Sequence, residues 1–357
     1  MKKIILLTIC LLCCSILLQA QDKIKELILE GIKLHDQGDF EGAISKYDEA
    51  LQLDASNITA LGEKAMSLLS LEKYETAIQI CKAIVETQPN SPNLDFVYTT
   101  YGNALDLVGK PDQALNIYDQ GIAKFPDYFQ LYFNKGITLS RINRPEEALA
   151  YFEKSVSLNP EHPGSHNAIA RIHLDGKKKI PSLMAFCRFL ILEPQGDRAT
   201  SNLPFVREIM QANVKKTGEN NVTITLSPDI LEGASKKKKK KLKPVNDFSM
   251  TELLLSMSAA LDYDQINAGR TEQELFISKF GTFCQSLAEQ KNNNSGFYWE
   301  YYAPYFIELK NQNLVETFTY IIYASSDEPT VQDWLKTNKD KISKFYQWSE
   351  AYNWSVR

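Results

Sequence analysis

The sequence is poor in the residues and motifs on which catalysis and metal binding usually depend. It has four histidines, all before residue 174, and no His-Glu-x-x-His motif, Gly-x-Ser-x-Gly elbow or glycine-rich phosphate loop. His166 and His173 are seven residues apart on one predicted helix. Two imidazoles without a third ligand make a poor zinc site. We therefore expect no enzymatic activity, no metal and no cofactor.

Cysteine and long apolar runs are also scarce after the first twenty residues. Only Cys81, Cys187 and Cys284 remain there, and none is part of a Cys-x-x-Cys pair. Isolated cysteines of this kind are typical of small buried apolar side chains. No later apolar stretch reaches the roughly 18 residues that a membrane span needs. The net charge of −4 argues against a nucleic-acid partner.

The first twenty residues have the pattern of an export signal. Two lysines precede an apolar run of about 15 residues, and residues 18–20 offer a cleavage site. The run is short for a membrane span. We predict a signal peptide at residues 1–20 and an exported protein of the periplasm, extracellular space or cell envelope. A lipid anchor on Cys13 or Cys14 and a retained N-terminal anchor are the alternatives.

The strongest pattern is a repeat with a period of 34 residues, running from about residue 24 to residue 196. A small residue recurs in each repeat, another small residue follows twelve positions later, and a larger or apolar residue comes four positions after that. The three series are Gly31, Ala65, Gly102, Gly136 and Ala170, then Ala43, Ala77, Ala114, Ala148 and Ser182, then Tyr47, Cys81, Tyr118, Phe152 and Phe186. A period of this length is typical of stacked helical hairpins, which usually bind other proteins.

This register resembles the tetratricopeptide repeat (TPR) family. Five repeats fit it, and they lie at residues 24–57, 58–91, 95–128, 129–162 and 163–196. The resemblance implies an all-α chain whose helical hairpins form a solenoid. Small residues at the shared positions let paired helices approach closely.

Three further segments follow the repeats. Residues 197–214 are predicted to form a capping helix, residues 215–248 a lysine-rich linker, and residues 249–357 a separate helical domain rich in aromatic residues. The linker contains six consecutive lysines, from Lys236 to Lys241. We interpret this lysine run as a solvated linker or as a contact with an anionic surface such as a membrane.

The C-terminal segment contains two predicted helix starts and all four tryptophans. Capping boxes are predicted at Ser249 and Thr271, each with a glutamate three positions later. The aromatic residues around Trp299 are interpreted as a buried core, and the alternative is an exposed platform for a peptide or glycan.

The resemblance also implies a binding groove lined by the first helix of each repeat. Carrying over the family's positions gives eight partner-binding candidates: Phe96, Asn103, Gln130, Phe133, Asn134, Arg141, Asn167 and Arg171. The two arginines are expected to hold an acidic group of the partner, or alternatively to pair with Asp106 and Asp175.

The predicted function is that of an exported, non-enzymatic scaffold, which binds a segment of a partner protein or peptide in this groove. The second interpretation is an envelope-associated protein that contacts glycans or lipids through the lysine run and the aromatic C-terminal domain.

Overall fold

The structure is a computed structural model that describes residues 2–211, 214–218, 221–225 and 243–354, with side chains from Gln19 onward. The lysine run and the predicted membrane contact at Lys236 to Lys241 therefore lie outside the described residues. The side chains of the predicted export signal at residues 1–18 also lie outside them. Within the described part, no helix is both long and apolar enough to cross a membrane.

Residues 24–192 form helical hairpins, as the repeat pattern predicts, and the first helix extends back to Lys2. Each hairpin consists of a first and a second helix joined by a short turn. The prediction of an all-α repeat fold is thus confirmed. The helices of the five hairpins are α1 (Lys2–Asp36), α2 (Phe40–Leu53), α3 (Ile58–Ser70), α4 (Tyr74–Thr87), α5 (Asp95–Leu107), α6 (Pro111–Lys124), α7 (Phe129–Arg141), α8 (Pro145–Leu158), α9 (Pro163–Asp175) and α10 (Lys179–Leu192).

A further helix, a two-stranded sheet and a C-terminal group of helices follow. α11 (Asp197–Gln211) is the helix predicted after the repeats. Two short strands follow it, where β1 (Val214–Lys216) pairs antiparallel with β2 (Val222–Ile224). The remaining helices are α12 (Ser249–Ala260), α13 (Glu272–Gln290), α14 (Ala303–Asn311), α15 (Val315–Ile322), α16 (Pro329–Thr337) and α17 (Lys339–Glu350).

The hairpin turns share one backbone feature that the sequence shows only in part. The same turn position adopts a positive φ in every hairpin, at Gly38, Glu72, Gly109, Asn143 and Lys177, with φ between 57° and 83°. Glycine adopts this conformation without strain, whereas a residue with a Cβ atom pays roughly 1 kcal/mol. The turn is therefore imposed by the packing of the two helices even where the local residue opposes it.

The turn at Glu72 provides a direct test of this strain. We expect Glu72→Gly to raise the free energy of unfolding by up to about 1 kcal/mol, because glycine removes the left-handed penalty. Glu75→Gly, in the first turn of α4, should instead lower it, because glycine is a poor helix former. Urea unfolding followed by circular dichroism measures both changes, and a loss of stability in Glu72→Gly would contradict the prediction.

Contacts divide the chain into two compact units, an N-terminal unit (Met1–Tyr151) and a C-terminal unit (Phe152–Arg357), so that the division falls within α8. In the N-terminal unit, the small residues of the repeat make room for buried tyrosine rings. A Cβ atom on Gly31 would lie 2.4 Å from Cε1 of Tyr47, and one on Gly102 would lie 2.2 Å from Cε1 of Tyr118. Only glycine lets these rings enter the seam between the paired helices.

In the C-terminal unit, the fifth hairpin packs together with the C-terminal helices. Every residue of α10 from Ile180 to Ile191 is buried, and α10 contacts both α12 and α15. Arg188 is buried with them, where its Nη1 donates to Ser349 Oγ at 2.9 Å and its guanidinium lies 4.8 Å from the Trp354 ring. The predicted domain limits stay a prediction, but the last hairpin and the C-terminal helices share one core.

The two predicted capping boxes have different outcomes. Thr271 caps α13 with the full reciprocal pair of hydrogen bonds to Glu274, as predicted. The box predicted at Ser249 is wrong, because Ser249 is already helical and its backbone amide donates to Asp247 Oδ1 at 2.9 Å. An aspartate two residues upstream thus satisfies the free amide in place of the serine.

Candidate functional site

The candidate site in the N-terminal unit is the surface formed by the first helices of its hairpins. α1, α3, α5 and α7 are neighbours in that order, and we call their outward surface the first-helix face. The prediction places Phe96, Asn103, Gln130, Phe133, Asn134 and Arg141 on it, and all six lie on α5 or α7. The other two candidates, Asn167 and Arg171, lie on α9 in the C-terminal unit.

Aromatic and amide side chains occupy the middle of the first-helix face. Phe96 is half-buried and packs over Gly62 of α3, where a Cβ atom would lie 2.4 Å from the phenyl ring. Phe133 and Asn134 are also half-buried, and Ile137 is 41% exposed beside them. This surface therefore offers apolar contacts and amide groups to a bound chain.

Two amide side chains on this face have defined hydrogen-bonding states. Asn103 accepts a hydrogen bond from the Tyr118 hydroxyl at 2.7 Å through its Oδ1 atom, so its orientation is fixed by the core. The Oε1 atom of Gln130 is buried and has no hydrogen-bond partner. An unpaired buried acceptor costs about 1–3 kcal/mol.

Arg141 takes the alternative that the sequence left open. It forms an ion pair with the Asp106 carboxylate, and its Nη2 atom donates to the Asp106 carbonyl oxygen at 2.6 Å. Asp106 is almost fully buried, while the Arg141 side chain stays 45% exposed. Arg141 therefore ties α7 to α5. The Asp106 carboxylate already balances most of the Arg141 charge, so no bound partner is needed to do so.

Arg171 has a different partner from the one predicted. Its Nη2 atom donates to Asn202 Oδ1 at 2.7 Å, and Asn202 in turn donates to Asn167 Oδ1 at 2.9 Å. The guanidinium also lies 4.7 Å from the Phe205 ring. The structure thus brings Asn167 and Arg171 together through α11, an element whose contribution the repeat pattern alone does not indicate.

Sequence reasoning missed a carboxylate on the first-helix face. Glu63 of α3 is half-buried, and burial, together with repulsion from Asp36, raises the pKa of its carboxyl group. Burial also raises the pKa of Tyr128 to about 12, with the negative charges of Asp95 and Glu63 adding to the effect. Glu63 stands at the sixth position of its repeat, the same position as Asn134, so the repeat register could have identified it.

The aromatic residues of the C-terminal segment form a core. Tyr298, Trp299, Tyr302, Tyr305 and Phe306 are each at most 2% exposed. The hydroxyl of Tyr298 donates to Glu153 Oε1 at 2.7 Å. The buried-core interpretation is confirmed for these residues, and the exposed-platform alternative is wrong for them, because their rings pack on one another and their polar tips bind protein atoms.

The buried histidines serve packing in the same unit. His166 accepts a hydrogen bond from the Tyr302 hydroxyl at Nδ1, at 2.6 Å, and donates from Nε2 to the Pro160 carbonyl at 2.9 Å. Because burial lowers the pKa of His166 to about 3, the imidazole is neutral near pH 7 and carries its one proton on Nε2. His173 packs edge-on against the Tyr298 ring at 4.6 Å. Among the described residues, no group of three or more His, Cys, Asp or Glu side chains could hold a metal ion.

The three described cysteines are buried free thiols, as predicted. Cys81, Cys187 and Cys284 have no disulfide partner in the described part of the chain. Burial raises the pKa of Cys81 to about 12. A thiol with such a pKa is a weak nucleophile at neutral pH.

Comparison with known proteins shows repeats over the N-terminal part of the chain. Two family models described as tetratricopeptide repeat match residues 34–95 and 102–166. "Protein STIP1 homolog" from Dictyostelium discoideum is 33% identical over 97 residues, which are 26% of this chain and 17% of that protein. "Photosystem I assembly protein Ycf3" from Synechococcus is 28% identical over 98 residues, 26% of this chain and 57% of that protein. The chain thus spans less than two thirds of either relative.

Parts of the chain also align with solved structures. A thermophilic TPR protein from Thermus thermophilus aligns with a TM-score of 0.46 and 18% identity, over 51% of this chain and 98% of that one. PilF from Pseudomonas aeruginosa aligns with a TM-score of 0.48 and 18% identity, over 54% of this chain and 85% of that one.

Proposed function

We propose that the protein is a non-enzymatic scaffold that binds a segment of a partner protein along the first-helix face. The family support is that residues 34–95 and 102–166 match tetratricopeptide repeat models. The observation that carries the proposal is the partly exposed apolar and amide surface of α5 and α7, where Phe96, Phe133 and Asn134 are half-buried and Ile137 is 41% exposed.

The chemistry of the face suits an extended or helical peptide. Phe96, Phe133 and Ile137 supply apolar surface, which favours binding through burial of apolar side chains. Asn134 and Gln130 supply amide groups, which can pair with the backbone of a bound segment. Arg141 is already engaged with Asp106 and Arg171 with Asn202, so we assign both arginines a bracing role.

We further propose that the protein acts outside the cytoplasm, in the periplasm, the extracellular space or the cell envelope. The support is the sequence of residues 1–20, with its two lysines, apolar run and cleavage site. The second interpretation is a glycan or lipid contact, and it relied in part on an exposed aromatic platform. The rings around Trp299 are buried and do not form such a platform. The lysine run at residues 236–241 is the feature that still supports a membrane contact.

The proposal predicts that peptide binding depends on the first-helix face. Peptides selected by the full chain from a phage-displayed random library should bind Phe133→Ala and Gln130→Ala at least about tenfold more weakly, because each change removes a contact worth about 1.4 kcal/mol. Gln113→Ala, an exposed glutamine on α6, is the matched control and should bind as the unchanged protein does. Fluorescence anisotropy measures the affinities.

The outcome against the proposal is equally definite. If the selected peptides bind Phe133→Ala, Gln130→Ala and Gln113→Ala with one affinity, the first-helix face is not the binding surface. Far-ultraviolet circular dichroism of each variant shows whether the fold is retained, so that a loss of binding is not mistaken for unfolding.

A further inference from the structure

We propose that an apolar ridge on the C-terminal unit inserts into the surface of a membrane that contains anionic lipids. The ridge is formed by the outer side of α12 and by the turns that follow this helix, with the side chains of Met250, Leu254, Met257, Leu261, Tyr263 and Ile266. This inference rests on the membrane contact that the lysine run supports, and it is independent of the first-helix face.

The spacing of apolar residues in the sequence places the ridge on one side of α12. Positions 250, 254, 257 and 261 are four, three and four residues apart, which aligns them along a helix. The opposite side carries Leu255 and Ala259, which are at most 2% exposed, and α12 contacts α10, α11 and α13. α12 is therefore apolar on two sides, and the described chain covers only one of them.

Exposed apolar side chains are concentrated at the ridge. Met257 is 54% exposed, Leu261 57% and Ile266 85%. Within the described part of the C-terminal unit, every exposed large apolar side chain lies between Val245 and Ile266. Those of the N-terminal unit are scattered singly over four helices, at Leu29, Leu53, Leu107 and Ile137. Scattered apolar residues are ordinary, whereas a contiguous patch marks an interaction surface.

Positive charge lies next to the ridge. Lys243 is exposed, and the lysine run ends two positions before it. The nine residues from Lys241 to Met250 span at most about 30 Å, so the end of the run cannot lie farther than that from the ridge. β1, which packs against α12, adds the exposed Lys215 and Lys216. Lysines attract the anionic headgroups of a membrane, and an adjacent apolar surface then inserts among them.

The carboxylates near the ridge leave this positive charge in excess. From residue 236 to residue 264 the sequence has seven lysines and four acidic residues. Glu252 lies 3.9 Å from Lys179, and Asp262 forms an ion pair with Lys279. Asp264 is exposed, and its Oδ1 atom caps the turn that follows it. The surroundings of the ridge are thus complementary in charge to an anionic surface.

The shape and composition of the ridge favour lipid over a protein partner. Its side chains stand on the outer side of a helix and on the turns after it, so they project outward and do not line a groove. Protein interfaces depend chiefly on Trp, Tyr and Arg anchors in fitted pockets, whereas the ridge consists of Met, Leu and Ile side chains with one tyrosine, Tyr263. Acyl chains accept projecting aliphatic groups without a matching pocket, and a tyrosine suits the headgroup level.

The experiment uses the chain from Gln21 onward, the form that the predicted signal cleavage leaves, because the apolar run before it would itself bind lipid. The described core of α1 begins at Ile24. Co-sedimentation with vesicles of phosphatidylcholine and one third phosphatidylglycerol measures binding. The double variant Met257→Gln, Leu261→Gln should bind at least about tenfold more weakly. Leu53→Gln, 52% exposed on α2, is the matched control and should bind as the unchanged protein does.

A fluorophore that brightens in apolar surroundings, attached at Ile266→Cys, locates the insertion. The chain from Gln21 onward has three other cysteines, all buried, so the new thiol is the one that reacts. The anionic vesicles should raise the emission of this label, and nitroxide groups on the acyl chains should quench it. The same label at Leu53→Cys should show neither effect.

The remaining outcomes separate the ridge from the lysine run. If the double variant binds the anionic vesicles as tightly as the unchanged protein, the lysines alone account for the contact and the ridge inference is overturned. If the unchanged protein does not bind them, the ridge and the membrane contact are both overturned. If it instead forms dimers that the double variant abolishes, the ridge joins two copies of the chain, and insertion into lipid is again overturned. Circular dichroism confirms that each variant is folded.

Discussion

Replacing Gly102 by alanine is expected to lower the free energy of unfolding by about 3 kcal/mol, at the upper end of overpacking effects. The new methyl group would lie 2.2 Å from the Tyr118 ring. That ring is 1% exposed, and its hydroxyl donates to Asn103, so it has no free space into which to move. Urea unfolding followed by circular dichroism at the helical band measures the change.

Gly281 provides the matched control for this substitution. It also lies within a helix, α13, but a Cβ atom there would meet no atom within 4 Å. Gly281→Ala should therefore raise the stability by about 0.5–1 kcal/mol, because alanine is the better helix former. A stability change of the same sign in both variants would show that helix propensity, and not the contact with Tyr118, determines the result.

Lowering the pH from about 7.5 to about 5 is expected to destabilise the protein through its buried histidines. Burial lowers the pKa of His166 to about 3 and that of His173 to about 4, whereas the unfolded chain protonates both near 6.5. The unfolded state thus binds more protons below pH 6.5, and stability falls as the pH decreases from there toward pH 4. Each histidine contributes about 2 kcal/mol of this loss at pH 5.

The variant His173→Leu isolates one of the two contributions. Leucine occupies the same position in the other four repeats, at Leu34, Leu68, Leu105 and Leu139, and it does not titrate. The decrease in the free energy of unfolding between pH 7.5 and pH 5 should therefore be about 2 kcal/mol smaller in this variant. Burial raises the pKa of Glu153, so lowering the pH stabilises the folded state through this residue. The effect is the same in both proteins, and it therefore cancels when their losses of stability are compared.

Tryptophan fluorescence is the appropriate probe, because all four tryptophans lie between residues 299 and 354, in the same unit as His173. Urea unfolding at the two pH values then reports the stability of that unit. The prediction fails if the two proteins lose the same stability, or if the ring protons of His173 titrate near pH 6.5 in the folded protein.

The candidate site was predictable only as far as the repeat register extends. The register placed Phe96, Gln130 and Phe133 on the first-helix face, because a fixed position in each repeat faces the same way. It could not say which polar groups are already paired. Arg141 and Arg171 look equivalent in the sequence, yet one pairs with Asp106 and the other with Asn202.

The sequence by itself determined the helical hairpins and their spacing. Helix formation depends on residues a few positions apart. The close approach of paired helices depends on residues sixteen positions apart, such as Gly102 and Tyr118, and both patterns recur along the chain. The tertiary structure alone decided what encloses α10 and which hydroxyl bonds His166. Those outcomes depend on groups brought together from distant parts of the chain. Tyr302 and His166, for example, are 136 positions apart in the sequence, and no local pattern encodes such a contact.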